Sequence, residues 1–461
     1  MGEDKDVIYV AILLATIILA PLSALAQGTN APAAGAPAAS PAASTAQPDS
    51  AAKSDGALSA DTIPPGTKIT MDNWQNYQKF MPDGMVALFQ GKYFWKMPSD
   101  VSMEVGPTVI NPLPRNYLAA TEKYGSQVKV VELPDGGLSL CNYRGGIPFL
   151  NPQEPHKGWK VLANVWFRYL PRLMVDTYGY GCGVNSMGGS NCFGYTYVTR
   201  QFAYNTDASP DPPVPQATDR YFTEWFMEVE PEQEKYTTTL SVDYADPTKP
   251  EDLYIFIPSL RRYQPVSTAA RCAPTQGLDA TPEDYHFGLD TNITQLKVDY
   301  VARRKMLVLM NVNLPTGRFP EGYDMPLGWP TPSWGKWQVR DVDEISMSKV
   351  PSQAGGYCYG KRVMYVDAHY YGPLWEELYD NNMKIWKYEA IITHSLDVPG
   401  IGVVDSTGSF AQILWDVQNN HATYSSDPAM GAPFYVNEQA PKEYDDIPRY
   451  SEASGLNLIM R

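Results

Sequence analysis

Two neighbouring stretches decide how this chain folds: Tyr221-Phe-Thr-Glu-Trp-Phe-Met-Glu-Val-Glu230 and Tyr236-Thr-Thr-Thr-Leu-Ser-Val-Asp-Tyr244. In the second, Tyr236, Thr238, Leu240, Val242 and Tyr244 fall on one side, and Thr237, Thr239, Ser241 and Asp243 on the other. In the first, Tyr221, Thr223, Trp225, Met227 and Val229 alternate with Phe222, Glu224, Phe226, Glu228 and Glu230. A period of two belongs to a strand, because successive side chains leave opposite faces of the pleat. Residues 231–235, opening with Pro231, join the two as a hairpin. Outward from this pair, strand patterning recurs at 253–257, 260–267, 296–300, 306–312, 337–347, 362–369 and 384–393. Upstream it recurs at 195–204, and at 128–133 and 138–143 on either side of Pro134-Asp-Gly-Gly137. Strands that follow one another through short turns predict a mainly β, antiparallel meander curved into a barrel or half-barrel. Helices are few: 71–80, 115–124, 159–169 and 410–417. In the third of these, Trp159, Leu162, Ala163, Trp166 and Leu170 sit at helical spacing and read as a core-facing stripe.

The chain has 461 residues, 44% of them hydrophobic and only 19% charged, which excludes wholesale disorder. It carries 51 acidic against 36 basic residues, a net charge of −15, with no Lys/Arg block, so nucleic acid is not an expected partner. The outlying residue type is tyrosine, 31 of them, amphipathic rings suited to strands.

Residues 1–26 read as an export signal: an apolar run from Val7 to Leu25 ends in Ala24-Leu25-Ala26, a small-x-small cleavage site. The expected location is the periplasm; an uncleaved membrane anchor is the alternative, since Glu3, Asp4 and Asp6 outweigh Lys5. Residues 27–65, rich in Ala, Pro and Ser, read as a flexible linker. A single β domain follows over 66–450, and 451–461 is a tail. Of five cysteines, Cys182 and Cys192 bracket a turn-rich segment that reads as a disulfide-closed loop inserted at about 176–195. Cys272 and Cys358 form the natural second pair, and Cys141 is left as a free thiol.

Catalytic signatures are absent. There is no GxSxG elbow, HExxH, P-loop or Rossmann fingerprint. Gly179-Tyr-Gly-Cys-Gly183 reads as a turn, and His156 as a loop residue without a partner. The acid pairs Glu376/Glu377 and Asp243/Asp246 read as surface carboxylates. No cofactor, metal ligand or catalytic residue is assigned, and the balance moves toward a binding protein.

Several blocks resemble a known family. They are Asp72-Asn-Trp-Gln-Asn-Tyr77, Phe80-Met-Pro-Asp-Gly-Met85, Gly91-Lys-Tyr-Phe-Trp-Lys96 and Asn151-Pro-Gln-Glu-Pro-His-Lys-Gly-Trp-Lys160. Further along come Pro250-Glu-Asp-Leu-Tyr-Ile-Phe-Ile-Pro-Ser-Leu-Arg-Arg262, Met325-Pro-Leu-Gly-Trp-Pro330, Tyr357-Cys-Tyr-Gly-Lys-Arg-Val-Met-Tyr-Val-Asp367 and Leu374-Trp-Glu-Glu-Leu-Tyr-Asp380. Over about 70–450 the chain resembles exported Gram-negative proteins of domain-of-unknown-function family 1329, grouped with the LolA/LolB-like lipoprotein-carrier superfamily. The resemblance implies an unclosed antiparallel barrel with a few covering helices and an apolar interior for lipid-like molecules. The strand, Pro258 and Leu260-Arg-Arg262, followed by residues 279–285, resembles relatives that work beside resistance-nodulation-division exporters. A membrane transporter and an outer-membrane partner are therefore expected alongside a hydrophobic ligand.

On this reading the ligand-lining residues are Tyr221, Trp225, Met227, Tyr236, Leu240, Val242, Tyr244, Tyr254, Phe256 and Trp337, with Arg261 and Arg262 as rim cations for an anionic head group. The alternatives are a secreted hydrolase with an aromatic sugar- or ester-binding surface and an outer-membrane-associated structural protein. An outer-membrane barrel fits poorly with 40 prolines and an Ile459-Met460-Arg461 end.

Overall fold

The computed structural model describes residues 62–460, apart from 213–218, 268–270, 291 and 356 and the side chains of Phe287 and Thr407. The signal segment and nearly all of the linker lie outside the described residues.

One antiparallel sheet of 14 strands organises the chain. Its first six strands are β1 (Leu173–Asn185), β2 (Ser190–Gln201), β3 (Arg220–Glu230), β4 (Thr238–Tyr244), β5 (Asp252–Ile257) and β6 (Arg262–Val266). They walk outward in sequence from the middle of the sheet to one edge. Residues 267–295 then cross to the far edge. There β7 (Leu296–Leu309) begins a second meander that walks back inward through β8 (Trp337–Lys349), β9 (Lys361–Asp367), β10 (Pro373–Tyr379), β11 (Ile385–Val398), β12 (Gly402–Asp416) and β13 (His421–Asp427). The halves join where β13 pairs with β1, and β14 (Phe434–Val436) extends β1's partner row. The sheet is unclosed, with β6 and β7 as its edges. It curls sharply in the second half: Met310, just past β7, bridges Thr393 of β11. Those strands stand four places apart, about 19 Å across a flat sheet.

Helices are short: α1 (Asp83–Phe89), α2 (Arg115–Tyr124) and α3 (Lys157–Trp166), besides single turns. The stripe Trp159, Leu162, Ala163 and Trp166 is buried, as its spacing requires.

Several expectations change. Residues 410–417 lie in β12 and are not helical. They are buried on both faces, so their apolar run lacks the alternation that marks a half-exposed strand. Residues 71–80 hold only a 3-10 helix, Trp74–Phe80. The segment at 176–195 is no insertion: it is the β1–β2 hairpin at the centre of the sheet, with Cys182 and Cys192 as registered partners joined by a disulfide. Gly179 and Gly181 are strand residues, not a turn. A Cβ on Gly179 would meet the Tyr195 ring at 2.2 Å and one on Gly181 the Phe193 ring at 2.8 Å, so the glycines are seats for cross-strand aromatics. The second disulfide, Cys272–Cys358, ties the crossing segment to the β8–β9 connection, and Cys141 is a free thiol.

Candidate functional site

Registered partners share a face, so the sheet can be read across its width. Leu240 is registered with Trp225 on one side and Tyr254 on the other; through Val198, Val175, Cys182, Tyr424, Ile413 and Ala390 the same face continues to Trp375. Two different covers close this aromatic face.

Over β3–β5 the cover is the chain's own C-terminal segment. Trp225, Leu240, Val242 and Phe256 are buried with Tyr450 and Leu456, and Met227, Tyr244, Tyr254 and Ile459 pack alongside. The Trp225 and Tyr450 rings meet edge to face at 4.9 Å. This strap consists of single turns, Lys442–Asp445, Ile447–Tyr450 and Ala453–Leu458. Polar contacts fasten it: Arg200 to Asp445 at 2.8 Å, Arg172 to Asp445 at 3.2 Å, Thr223 to Ser451 at 2.9 Å and Arg220 to the Ser451 carbonyl at 2.9 Å. The expected tail is thus partly core.

Seven of the ten expected lining residues therefore share one face: Trp225, Met227, Leu240, Val242, Tyr244, Tyr254 and Phe256. The other three lie apart. A bulge between Arg220 and Phe222 takes Tyr221 out of the alternation, and its hydroxyl donates to the Trp166 carbonyl at 3.0 Å. Tyr236 is a turn residue with φ 72°, since β4 begins only at Thr238, and its ring is exposed. Trp337 opens β8 and packs against the second cover. Arg261 and Arg262 are exposed at the β5–β6 turn.

Over β10–β12 the cover is α1 and residues 310–336. Trp415 lies between Trp329 (5.9 Å) and Trp375 (5.9 Å), and Trp337 stacks on Trp329 at 5.4 Å. Gly328 makes this possible. Its φ is +69° and a Cβ there would stand 2.1 Å from the Tyr424 ring; the close approach lets the Leu327 carbonyl accept from both Trp415 and Tyr424 at 2.7 Å. A small void remains, with room for about one water-sized group, lined by Met85, Met306, Leu309, Trp329, Leu374, Trp375 and their neighbours. Trp329 and Trp375 sit in the blocks Met325–Pro330 and Leu374–Asp380 already singled out in the sequence, but no sequence signal marks them as neighbours of Trp415.

The opposite face carries a buried polar seam beneath the crossing segment. Arg362 contacts Asp284 and Glu376, both at 2.6 Å, and Tyr359 donates to Asp284 at 2.7 Å. Lys387 donates to the Asp279 carbonyl, whose side chain holds His421 Nδ1 at 2.6 Å. His286 Nδ1 lies 2.8 Å from Glu224. Arg271 binds Glu251, Glu283 and Asp290. Glu376, Glu377 and Asp243 are buried, overturning the expectation of surface carboxylates; only Asp246 is exposed. The register points Glu376 and Glu389 at each other across β10 and β11 under the crossing segment, while Glu377, on the aromatic face, is covered by α1 and accepts from the Gly84 N–H at 2.7 Å. Burial raises Glu376 to about 8 and Glu377 to about 7, and pushes Asp243, Asp290 and Glu389 well up. Burial opposes ionisation of Asp284 too, but the Arg362 and Lys387 charges outweigh it and hold that carboxyl below its usual value. Oxygens of Asp243, Glu251 and Asp290 lie within 4.8 Å of one another, a spacing a cation could use. The Arg271 guanidinium, 3.3 Å from Asp290 and in contact with Glu251, already supplies that charge. The seam is a clamp for the crossing segment.

An unclosed antiparallel sheet with an apolar face under short covers defines the architectural class. The sequence model of DUF1329, described as a protein of unknown function, matches residues 68–453, and the chain belongs to that family. Similar solved structures include a putative outer membrane lipoprotein-sorting protein domain from Vibrio parahaemolyticus, 12% identical, TM-score 0.44, covering 66% of this chain and 99% of its own. A DUF1329 family protein from Desulfovibrio piger is 11% identical, TM-score 0.41, covering 64% and 98%. A LolA superfamily protein from Nitrosomonas europaea is 10% identical, TM-score 0.36, covering 62% and 96%. Likenesses this loose fix neither a ligand nor an activity. No curated protein matches the sequence.

Proposed function

We propose that this is an exported, periplasmic binding or carrier protein for a hydrophobic, lipid-like molecule, without a catalytic step of its own. What supports the reading most is the β3–β5 face: aromatic and aliphatic along its length, and closed by a strap of single turns rather than by a packed layer. A strap of this kind occupies the space an acyl chain would take, and each buried methylene contributes about 0.8 kcal/mol in either case. Trp225, Met227, Leu240, Val242, Tyr244, Tyr254 and Phe256 would line the groove, and Arg261 and Arg262 at the β5–β6 turn would meet an anionic head group. Delivery would involve a resistance-nodulation-division type transporter and an outer-membrane partner, after cleavage of the signal near Ala26.

Native mass spectrometry of protein purified from its own cells tests this. A lipid-like adduct is expected on the full chain and is lost when Leu240→Trp fills the groove. A chain that carries no adduct under conditions that preserve non-covalent complexes overturns the reading. Crosslinking in those cells, followed by identification of captured membrane proteins, tests the transporter.

A further inference from the structure

Four of the deeply buried indoles donate to a backbone carbonyl. Trp95 donates to the Asp416 and His421 carbonyls at 3.1 Å, Trp159 to Ile293 at 3.0 Å, Trp334 to Gly322 at 2.6 Å and Trp415 to Leu327 at 2.7 Å. Trp386 donates to Asp416 at 2.7 Å. That is the ordinary behaviour of a buried Trp N–H, because leaving it unpaired forfeits its hydration without return. Among the described indoles whose N–H is sealed from water, two depart from this. The Nε1 atoms of Trp329 and Trp375 are fully buried and have no acceptor among the described residues. Both rings line the same void, and both flank Trp415.

From this coincidence we infer that the Trp329–Trp375 void is a binding site for the neutral acceptor oxygen, an ester or amide carbonyl, of a hydrophobic molecule. The inference deepens the carrier reading and rests on it, but places recognition in the other half of the sheet. The chemistry of the lining selects the class. No ionisable side chain lines the void, so a carboxylate or phosphate would be stripped of water with no counter-charge. A neutral carbonyl oxygen accepts without a proton of its own, which is what an unpaired N–H in an uncharged wall calls for. Met85 and Met306 in the wall are the flexible, polarisable side chains that let an apolar chain follow the carbonyl into a space now fit for about one water-sized group.

The test uses the full chain with indole-15N tryptophan and three probes of similar length: methyl decanoate, undecane and decanoate. Trp329→Phe and Trp375→Phe assign the two N–H resonances while keeping a ring in each stack. Methyl decanoate is expected to move both resonances downfield, and undecane neither. Each Phe variant is expected to weaken ester binding about three- to tenfold with alkane binding unchanged. The comparison of ester with alkane on the unaltered chain stands even if a Phe variant fails to fold. Indole resonances already downfield in the free protein and unmoved by every probe mean a trapped water, and overturn the inference. So does an ester affinity that both Phe variants leave intact. If that affinity instead responds to Leu240→Trp, the site is wrong and the carrier reading survives. If no probe binds and no native adduct is found, both fall.

Discussion

The two halves of the aromatic face bury similar chemistry and close it in different ways. Over β10–β12, four tryptophans stack against covers threaded through the interior of the chain, α1 and residues 310–336, and Trp415 is locked from both sides and by its own hydrogen bond. Over β3–β5 the cover is residues 442–459, built of short turns that have little helical stability of their own. An interlocked cover can only leave with the fold. A strap that pairs with no strand can leave while the sheet stays intact. The difference teaches where opening is affordable and where a fixed recognition element belongs.

The largest expected effect is at the locked half. Trp415→Ala should cost about 3–5 kcal/mol by denaturant unfolding, with loss of the whole transition and not of a part. At the strapped half, truncation after Pro441 should expose Trp225, Leu240, Val242 and Phe256. Anilinonaphthalene sulfonate fluorescence should rise several-fold, while native-state hydrogen exchange keeps β10–β12 as protected as in the full chain. If truncation strips protection from both halves equally, they are one cooperative unit and the contrast fails.

The buried carboxyls on the two faces of the sheet predict the pH response. Carboxyls whose folded pKa is raised keep their proton after the unfolded chain has lost it, so the folded state binds more protons and stability falls as pH rises. Glu376 at about 8 and Glu377 at about 7 put the loss between about pH 4.5 and 8, and Asp427, raised by burial to about 6, begins it. His421, raised by its Asp279 hydrogen bond, loses stabilisation with rising pH as well. Melting temperature should therefore peak near pH 5 and decline toward pH 9. A flat profile would show these carboxyls ionised and solvated. Glu376→Gln should flatten part of the decline.

What the sequence disclosed follows from which contacts are local. Alternation at 221–244 identified β3, β4 and the side-chain set that shares a face, because period two is a local property. It missed the bulge that removes Tyr221 and the turn that takes Tyr236, because both depend on how β2, β4 and β3 register. Residues 410–417 looked helical because a strand buried on both faces has no polar phase. Glu376 and Glu377 looked solvated because their partners, Arg362 and Gly84, come from elsewhere in the chain. The Trp329–Trp375 site was invisible for the same reason: its two indoles are 46 positions apart and meet only through Trp415.

The smallest effect separates latch from strap. Asp445 is half exposed, so its pairs with Arg200 and Arg172 are each worth under about 1 kcal/mol and weaken with salt. Burial works against its ionisation, yet the two arginines prevail and hold its carboxyl below the usual value, so the latch stays charged from pH 5 to 9 and cannot cause the alkaline decline. Asp445→Asn should leave global stability nearly unchanged, because Arg200 keeps the Tyr444 carbonyl at 3.2 Å. Exchange of the Tyr450 and Ser451 amides should nonetheless quicken several-fold at low salt, and the gap to the unaltered chain should close near 0.5 M. A strap that exchanges no faster without Asp445 is held by Tyr450 and Leu456 alone. Its opening would then be set by apolar burial, and the ligand, not an ionic latch, would have to displace it.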